Sequence, residues 1–437
     1  MKHLDVVSLV SCRAVNKSWN ATASSILRKR PVWIKRKWDS DAFARLYKCV
    51  KRSTNFPFSK LDLSFTAKRS TTMDFCYAAK WFTKFGMIFT HLRADHWCER
   101  MQSTLLENAP NLKYLGLGRV ERNRRPKFRL PSLRILSWED CYEVNLRFIK
   151  EIISAAPQLE EIQHVYFSFA MMEALRTTDK LDLVSSIFMG IGDSNSAQIC
   201  SQLAANPLLH LTALTVAIYD YAYRRCLTSI KAILVASQNS LKKLKFCNFT
   251  EQLADLPVFH KLEELDFEME DRDVRKKRRK SAVLPVLSNA LFPKLKKIRL
   301  DTSNHEITDY FIRDHFWEVC GIPLDTVDGL ELGSYCDANA MRHLAAAFPR
   351  VTSVVVDYDK YSAHNLNDVW LLEMFPSLSR LNILNVPYQS GALDTILTGI
   401  PAETIAVLRA APKQTLSPCV SQILRPHRCI LNLRSNN

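Results

Sequence analysis

An α/β solenoid of parallel strands is the fold class this sequence predicts, and three observations predict it. A phrase of the form L-x-x-L-x-L recurs along the 437 residues. From Leu112 onward its copies stand 21 to 33 residues apart, with one interval of 52. Between copies lie segments of helical periodicity, many closed by a proline.

Six copies carry that proline two residues before the first apolar position. They are "APNLKYLGL" (Leu112, Leu115, Leu117), "LPSLRILSW" (Leu133, Leu136, Trp138), "APQLEEIQH" (Leu159, Ile162), "FPKLKKIRL" (Leu295, Ile298, Leu300), "FPRVTSVVV" (Val351, Val354, Val356) and "FPSLSRLNI" (Leu378, Leu381, Ile383). Copies without it begin at Leu211, Leu241, Leu262 and Val327, and weaker early ones at Phe58 and Phe89. The alternation predicts a short strand with leucines directed to a core and intervening residues directed outward. The preceding segments predict helices: Leu146, Ile149, Ile152 and Ile153 share one face, as do Met341, Leu344, Ala345 and Phe348. Proline cannot extend such a helix and biases its predecessor to extended backbone, so it separates helix from strand. One unit alone cannot bury its apolar face; stacked units share a core. Irregular periods of this size are those of leucine-rich repeats, and "LRILSWEDC" (Leu133–Cys141) extends to the longer phrase, in which Cys141 is expected to be buried and to satisfy loop backbone. The interval of 52 predicts a degenerate or replaced rung near residue 185.

Charge is unevenly placed. Residues 1–130 hold 27 Lys+Arg against 9 Asp+Glu, whereas the whole chain carries a net charge of +16, so the remainder is nearly neutral. The N-terminal end is where an acidic partner is drawn. Twelve scattered cysteines without any Cys-x-x-Cys pair argue against a disulfide scaffold and against zinc-ligand pairing. "HLRADHWC" (His91, His96, Cys98) lacks a fourth ligand nearby, so no metal or other cofactor is expected. The apolar runs are too short to span a bilayer, Asp5 interrupts the first of them, and a cytoplasmic or nuclear location is expected, with no membrane partner. With 10 glycines there is no phosphate-cradling loop, no G-x-S-x-G and no H-E-x-x-H, and the chain reads as non-catalytic.

Residues between the strand leucines are the candidate binding positions. They are Lys243 and Lys245, then Glu264 and Asp266 with Glu268, then Lys297 and Arg299, and farther on Arg380. Adjacent strands stand about 4.8 Å apart, so these rows could neutralise one another or recognise a charge-patterned protein substrate. The basic runs "DRDVRKKRRK" (Asp271–Lys280) and "GRVERNRRPKFR" (Gly118–Arg129) fall between rungs as solvated loops. Arg275–Lys280 could serve as a nuclear-import signal. Neither run has the aromatic interleaving of a single-strand platform, and nucleic acid is an unfavoured partner.

At the N-terminus, Leu9, Cys12, Val15, Trp19 and Ala23 recur at three- or four-residue steps, predicting one apolar face of a helical pair that Asp5 could cap. "LDVVSLVSCRAVNKSWNATASSILRKR" resembles the second and third helices of an F-box. Leu9, Cys12, Arg13, Val15, Lys17, Trp19, Asn20 and Ala23 fit that family's phrase. An F-box followed by leucine-rich repeats is the arrangement of F-box and leucine-rich-repeat proteins. The resemblance implies adaptor-facing positions at Leu4, Val7, Leu9, Cys12, Val15 and Trp19. It further implies an acidic adaptor and, through it, a cullin as partners, with the repeats holding a protein substrate. In the family a Leu-Pro and a Glu-rich helix precede this stretch and also contact the adaptor, so residues 1–30 correspond to the C-terminal part of the module. The expected organisation is therefore a partial F-box over 1–30, a basic linker or cap over 31–55 and the solenoid over 56–437. The function this implies is that of a non-catalytic substrate receptor of a cullin–RING ligase of the SCF type. A protein-binding scaffold without ligase coupling is the alternative.

Overall fold

The computed structural model describes residues 6–29, 33–38, 47–48, 56–65, 72–95, 99–118, 128–138, 146–192, 195–206, 208, 210–219, 225–248, 256–269, 288–302, 323–333, 338–357, 375, 377–386, 405–410 and 430–431. The chain is mixed α/β with parallel sheets, in a solenoid-like succession of strand units, and divides into two compact units, residues 1–189 and 190–437.

The first unit opens with helices α1 (Val6–Cys12) and α2 (Lys17–Lys29). Six strands then follow in spatial order: β1 (Trp33–Trp38), β2 (Lys60–Phe65), β3 (His91–Asp95), β4 (Tyr114–Leu117), β5 (Ile135–Trp138) and β6 (Glu161–Gln163). Between them run α3 (Thr72–Phe85), α4 (Glu99–Asn108) and α5 (Leu146–Ala155). Leu61, Leu92, Leu115, Leu136 and Ile162 stand opposite one another in register, each no more than 1% exposed. Beneath the early rungs an aromatic cluster packs Trp81 against Phe56, Phe82 and Phe89, with ring centroids 5.0 to 5.2 Å apart.

Backbone pairing repeats as regularly as the leucines. The carbonyl after the first apolar position accepts two N–H groups of the next rung: Thr90 O takes Lys113 N at 2.7 Å and Tyr114 N at 3.1 Å. Ser59, Lys113 and Arg134 carbonyls do the same. Each rung thereby satisfies backbone that the turn into the strand would otherwise leave unpaired.

Among the described residues of this unit, the core phase shifts at His164. After Ile162 the third apolar position falls on His164, which is exposed and has φ 53°, and Val165, fully buried, takes the core place one residue later. That left-handed residue slips the strand by one, as a bulge does. It separates β6 from β7 (Val165–Tyr166), which pairs with β8 (Ser186–Ile191). Helix α6 (Phe169–Thr177), capped by Ser168 Oγ on Met171 N at 3.2 Å, lies between them.

Near residue 185 stands the rung that the interval of 52 implies, degenerate in its phrase but regular in its packing. Val184, Ile187 and Met189 hold the three apolar positions, each at most 3% exposed. β-branched and thioether side chains fill the places of leucine, which conceals the phrase without changing its period.

The second unit continues from the end of β8 through β9 (Ala213–Ile218), β10 (Lys243–Cys247), β11 (Glu264–Met269), β12 (Lys297–Thr302), β13 (Gly329–Leu332), β14 (Ser353–Asp357), β15 (Arg380–Val386), β16 (Ile405–Ala410) and β17 (Ile430–Leu431). Every pairing from β9 onward is parallel. Leu214, Leu244, Leu265, Ile298, Leu330 and Val354 form its core column. Helices α7 (Ser196–Ala205) and α8 (Leu227–Ser237) pack on each other, and α9 (Ala338–Ala347) buries Leu344 and, just beyond its end, Phe348.

β1, β16 and β17 lie outside the repeat phrases read from sequence. β1 lies within the segment expected as linker or cap, and pairs Ile34 with Leu61 in parallel register. β16 and β17 extend the second sheet past the copy at Leu378, with Ala406 opposite Leu381. Among the described residues no helix is long and apolar enough to cross a membrane. Asp5, Cys141 and the run Asp271–Lys280 lie outside the described residues.

Candidate partner-binding surfaces

The N-terminal helical pair is built around Leu9, Ala23 and Leu27, each at most 1% exposed, with Cys12, Ile26 and Phe58 packed against them. The expected single apolar face does not form. Val15 is 59% and Trp19 42% exposed, and Val10 joins them at 43%. The cause is the reversal between the helices. Arg13, Ala14 and Val15 N–H groups bond back to the carbonyls of Val10, Ser11 and Cys12, and Asn16 Oδ1 accepts from Trp19 N at 2.9 Å to cap α2. A three- or four-residue step counts a face only within one helix, so the turn resets the phase.

Two other residues of the phrase set that geometry. Arg13 Nε donates to Asn20 Oδ1 at 3.0 Å and to Ser24 Oγ at 3.1 Å, and the buried Ser24 hydroxyl donates to Asn20 Oδ1 at 3.1 Å. This triangle fastens the end of α1 to α2. Arg28 Nε then donates to Phe56 O at 2.8 Å, and Ser59 Oγ to Arg28 O at 2.7 Å, tying α2 to the chain entering β2. Of the candidate adaptor positions, Leu9 and Cys12 are therefore packing residues, while Val15 and Trp19 face outward. Val7 lies in α1, and Leu4 is outside the described residues.

Six of the seven candidate substrate positions come together on the strand face of the second unit, on β10, β11 and β12. Lys243 Nζ pairs with Glu264 at 2.7 Å, and Lys245 with Glu268. Lys297 pairs with Glu331, and Arg299 reaches Asp301 at 2.8 Å and Glu331 at 3.2 Å. Asp266 stands in register between Lys245 and Arg299. Burial pushes its carboxyl above the ordinary value, against the pull of Arg299 and Lys245. At Glu268 burial acts in the same upward sense, but the Lys245 hydrogen bond and charge outweigh it and hold the carboxyl below its ordinary value. Cys247 Sγ donates to the same carboxylate at 3.4 Å, and burial first, then the Glu268 charge, pushes the thiol up to about 12. Each of these four cations thus has a carboxylate partner. Arg380, the seventh candidate, is exposed and stands opposite Ser353 and Ile405, with no acid beside it in register.

On the strand face of the first unit His91 stacks on Tyr114, with centroids 6.0 Å apart and planes 19° from parallel, and Arg93 approaches Asp62 at 3.9 Å. Gly116 leaves room for both neighbours: a Cβ there would meet Arg93 Cγ and the Tyr114 hydroxyl at 3.2 Å. Burial, reinforced by Lys60 and Lys113, holds the His91 imidazole down to about 4, so it is neutral at physiological pH. His96 and Cys98, its companions in the weighed metal cluster, lie outside the described residues.

No protein-family model matches the chain, and no curated protein matches it. Among solved structures the complex of Rad7 and Elc1 in yeast is similar with a TM-score of 0.39 and 14% identity, over 86% of this chain and 91% of that one. A likeness of that degree leaves the fold to be argued from the chain itself. What the strands and their register define is a solenoid-like α/β protein with parallel sheets.

Proposed function

We propose that the chain is a non-catalytic substrate-recognition subunit of a cullin–RING (SCF-type) ubiquitin ligase. On this reading its strand units are leucine-rich repeats and its N-terminal helical pair is the C-terminal part of an F-box. The observation that carries the reading is how the residues of the F-box-like phrase divide. Leu9, Ala23, Arg13 and Asn20 build the pair, whereas Val15 and Trp19, with Val10, stand outside it as exposed apolar side chains. An exposed tryptophan and two exposed valines on one short helical pair are side chains that a partner would cover. The basic first 130 residues suit an acidic adaptor, since charge complementarity speeds encounter and orients it.

The mechanism is tethering. A receptor that holds a substrate on one surface and the ligase on another raises their effective concentration and supplies no chemistry of its own. The deciding experiment is copurification of the full-length product with the adaptor and cullin. Retention of both supports the ligase reading; a stable protein that retains neither leaves a protein-binding scaffold without ligase coupling.

A further inference from the structure

An open cleft of about 610 Å³ lies in the first unit against α5, and its lining lies outside the F-box-like phrase. One wall is the outer face of that helix, where Arg147, Lys150, Glu151 and Ser154 follow at helical steps, opposite the buried Phe148, Ile149 and Ile152. The other wall is Phe128 and Arg129, the last two residues of the basic stretch Gly118–Arg129. That wall is fixed in place: Leu130 is fully buried and its N–H donates to Ala155 O at 2.9 Å. Phe128 also meets Phe148 edge-on, with centroids 6.4 Å apart.

The lining carries three cations and a single carboxylate. Glu151 is taken up by Arg147, at 3.5 Å, and among the described residues neither Arg129 nor Lys150 has a carboxylate partner. We infer that this cleft binds an acidic, extended segment of a partner protein. Carboxylates of the segment would meet Arg129 and Lys150, and an apolar side chain would lie over Phe128 and Ala155. The ten residues of α5 extend ~15 Å, room for about four or five residues of extended peptide. The apolar strip and the Glu151 carboxylate favour an interrupted acidic peptide over a continuous polyanion such as nucleic acid. This site does not depend on whether the adaptor binds.

The test is fluorescence anisotropy on the full chain with a labelled peptide of about ten residues that alternates Asp or Glu with Leu, beside its Asn/Gln counterpart. The acidic peptide binds, and more weakly as salt is added. R129E/K150E, both surface changes, weakens it by about tenfold or more, while K261E, an exposed position of the second unit, leaves it unchanged. E151Q, which removes the one carboxylate of the lining and keeps its shape, tightens it severalfold. The inference is overturned by absent binding, by equal binding of the amide peptide or of R129E/K150E, by unchanged or weaker binding to E151Q, or by a single-stranded oligonucleotide that binds more tightly.

Discussion

At the scale of single residues the strand faces separate groups that look alike in sequence. Asp266 and Glu268 are two residues apart on one strand and burial acts most strongly on both, yet at Asp266 it prevails, whereas at Glu268 the Lys245 hydrogen bond and charge, with the Cys247 hydrogen bond and the Arg299 charge, together outweigh it. The ionised form of Asp266 is disfavoured by folding, so Asp266→Asn leaves stability at pH 7 within about 0.5 kcal/mol or raises it. Glu268→Gln removes a favoured carboxylate and lowers stability by about 1 kcal/mol, a difference that urea melts of the two variants resolve. His91 gives a pH signature. Its ordinary value of 6.5 is held down to about 4 in the folded chain, so between those values the unfolded chain binds the extra proton. Stability contributed by His91 is complete above about pH 6.5 and declines as pH falls toward 4. Melts from pH 7 to 4 check this: His91→Phe reduces the slope of stability against pH in that window.

At the scale of elements, what was legible in the sequence is what repeats. The column Leu61, Leu92, Leu115, Leu136 follows from alternation alone, and the faces of α5 and α9 follow from helical spacing. What escaped are local departures from a period. The reversal at Arg13–Asn16 turned Val15 and Trp19 outward, and His164 slipped a strand by one residue. In β1 the register puts Arg36 opposite Leu63, so charge stands where the phrase calls for leucine and the strand is not recognisable. The polar triangle of Arg13, Asn20 and Ser24 was equally hidden, because Arg13 lies in the turn after α1 and its partners stand seven and eleven residues on, in α2. Asn20→Ala leaves the Arg13 and Ser24 donors without their common acceptor and costs about 1–3 kcal/mol in urea denaturation. Asn20→Asp, which keeps an acceptor oxygen, retains most of that.

At the scale of the whole molecule, the proposed function implies a division of labour: parallel strand units would supply surfaces and the N-terminal helical pair the coupling to the ligase. The charge row of the second unit is satisfied within itself, so it rewards a partner only through shape and matched pairs; the N-terminal 130 residues hold the excess positive charge. The coupling claim is the central one, and it predicts that stability and adaptor binding separate at the outward residues. The most direct measurement is size-exclusion chromatography of the full-length product with purified adaptor, beside V15S/W19S, with thermal melts of both proteins. The wild type co-elutes with the adaptor, and the variant, whose replaced side chains lie outside the helical core, melts alike and elutes alone. Wild type eluting without adaptor, or a variant that retains it equally, contradicts the account.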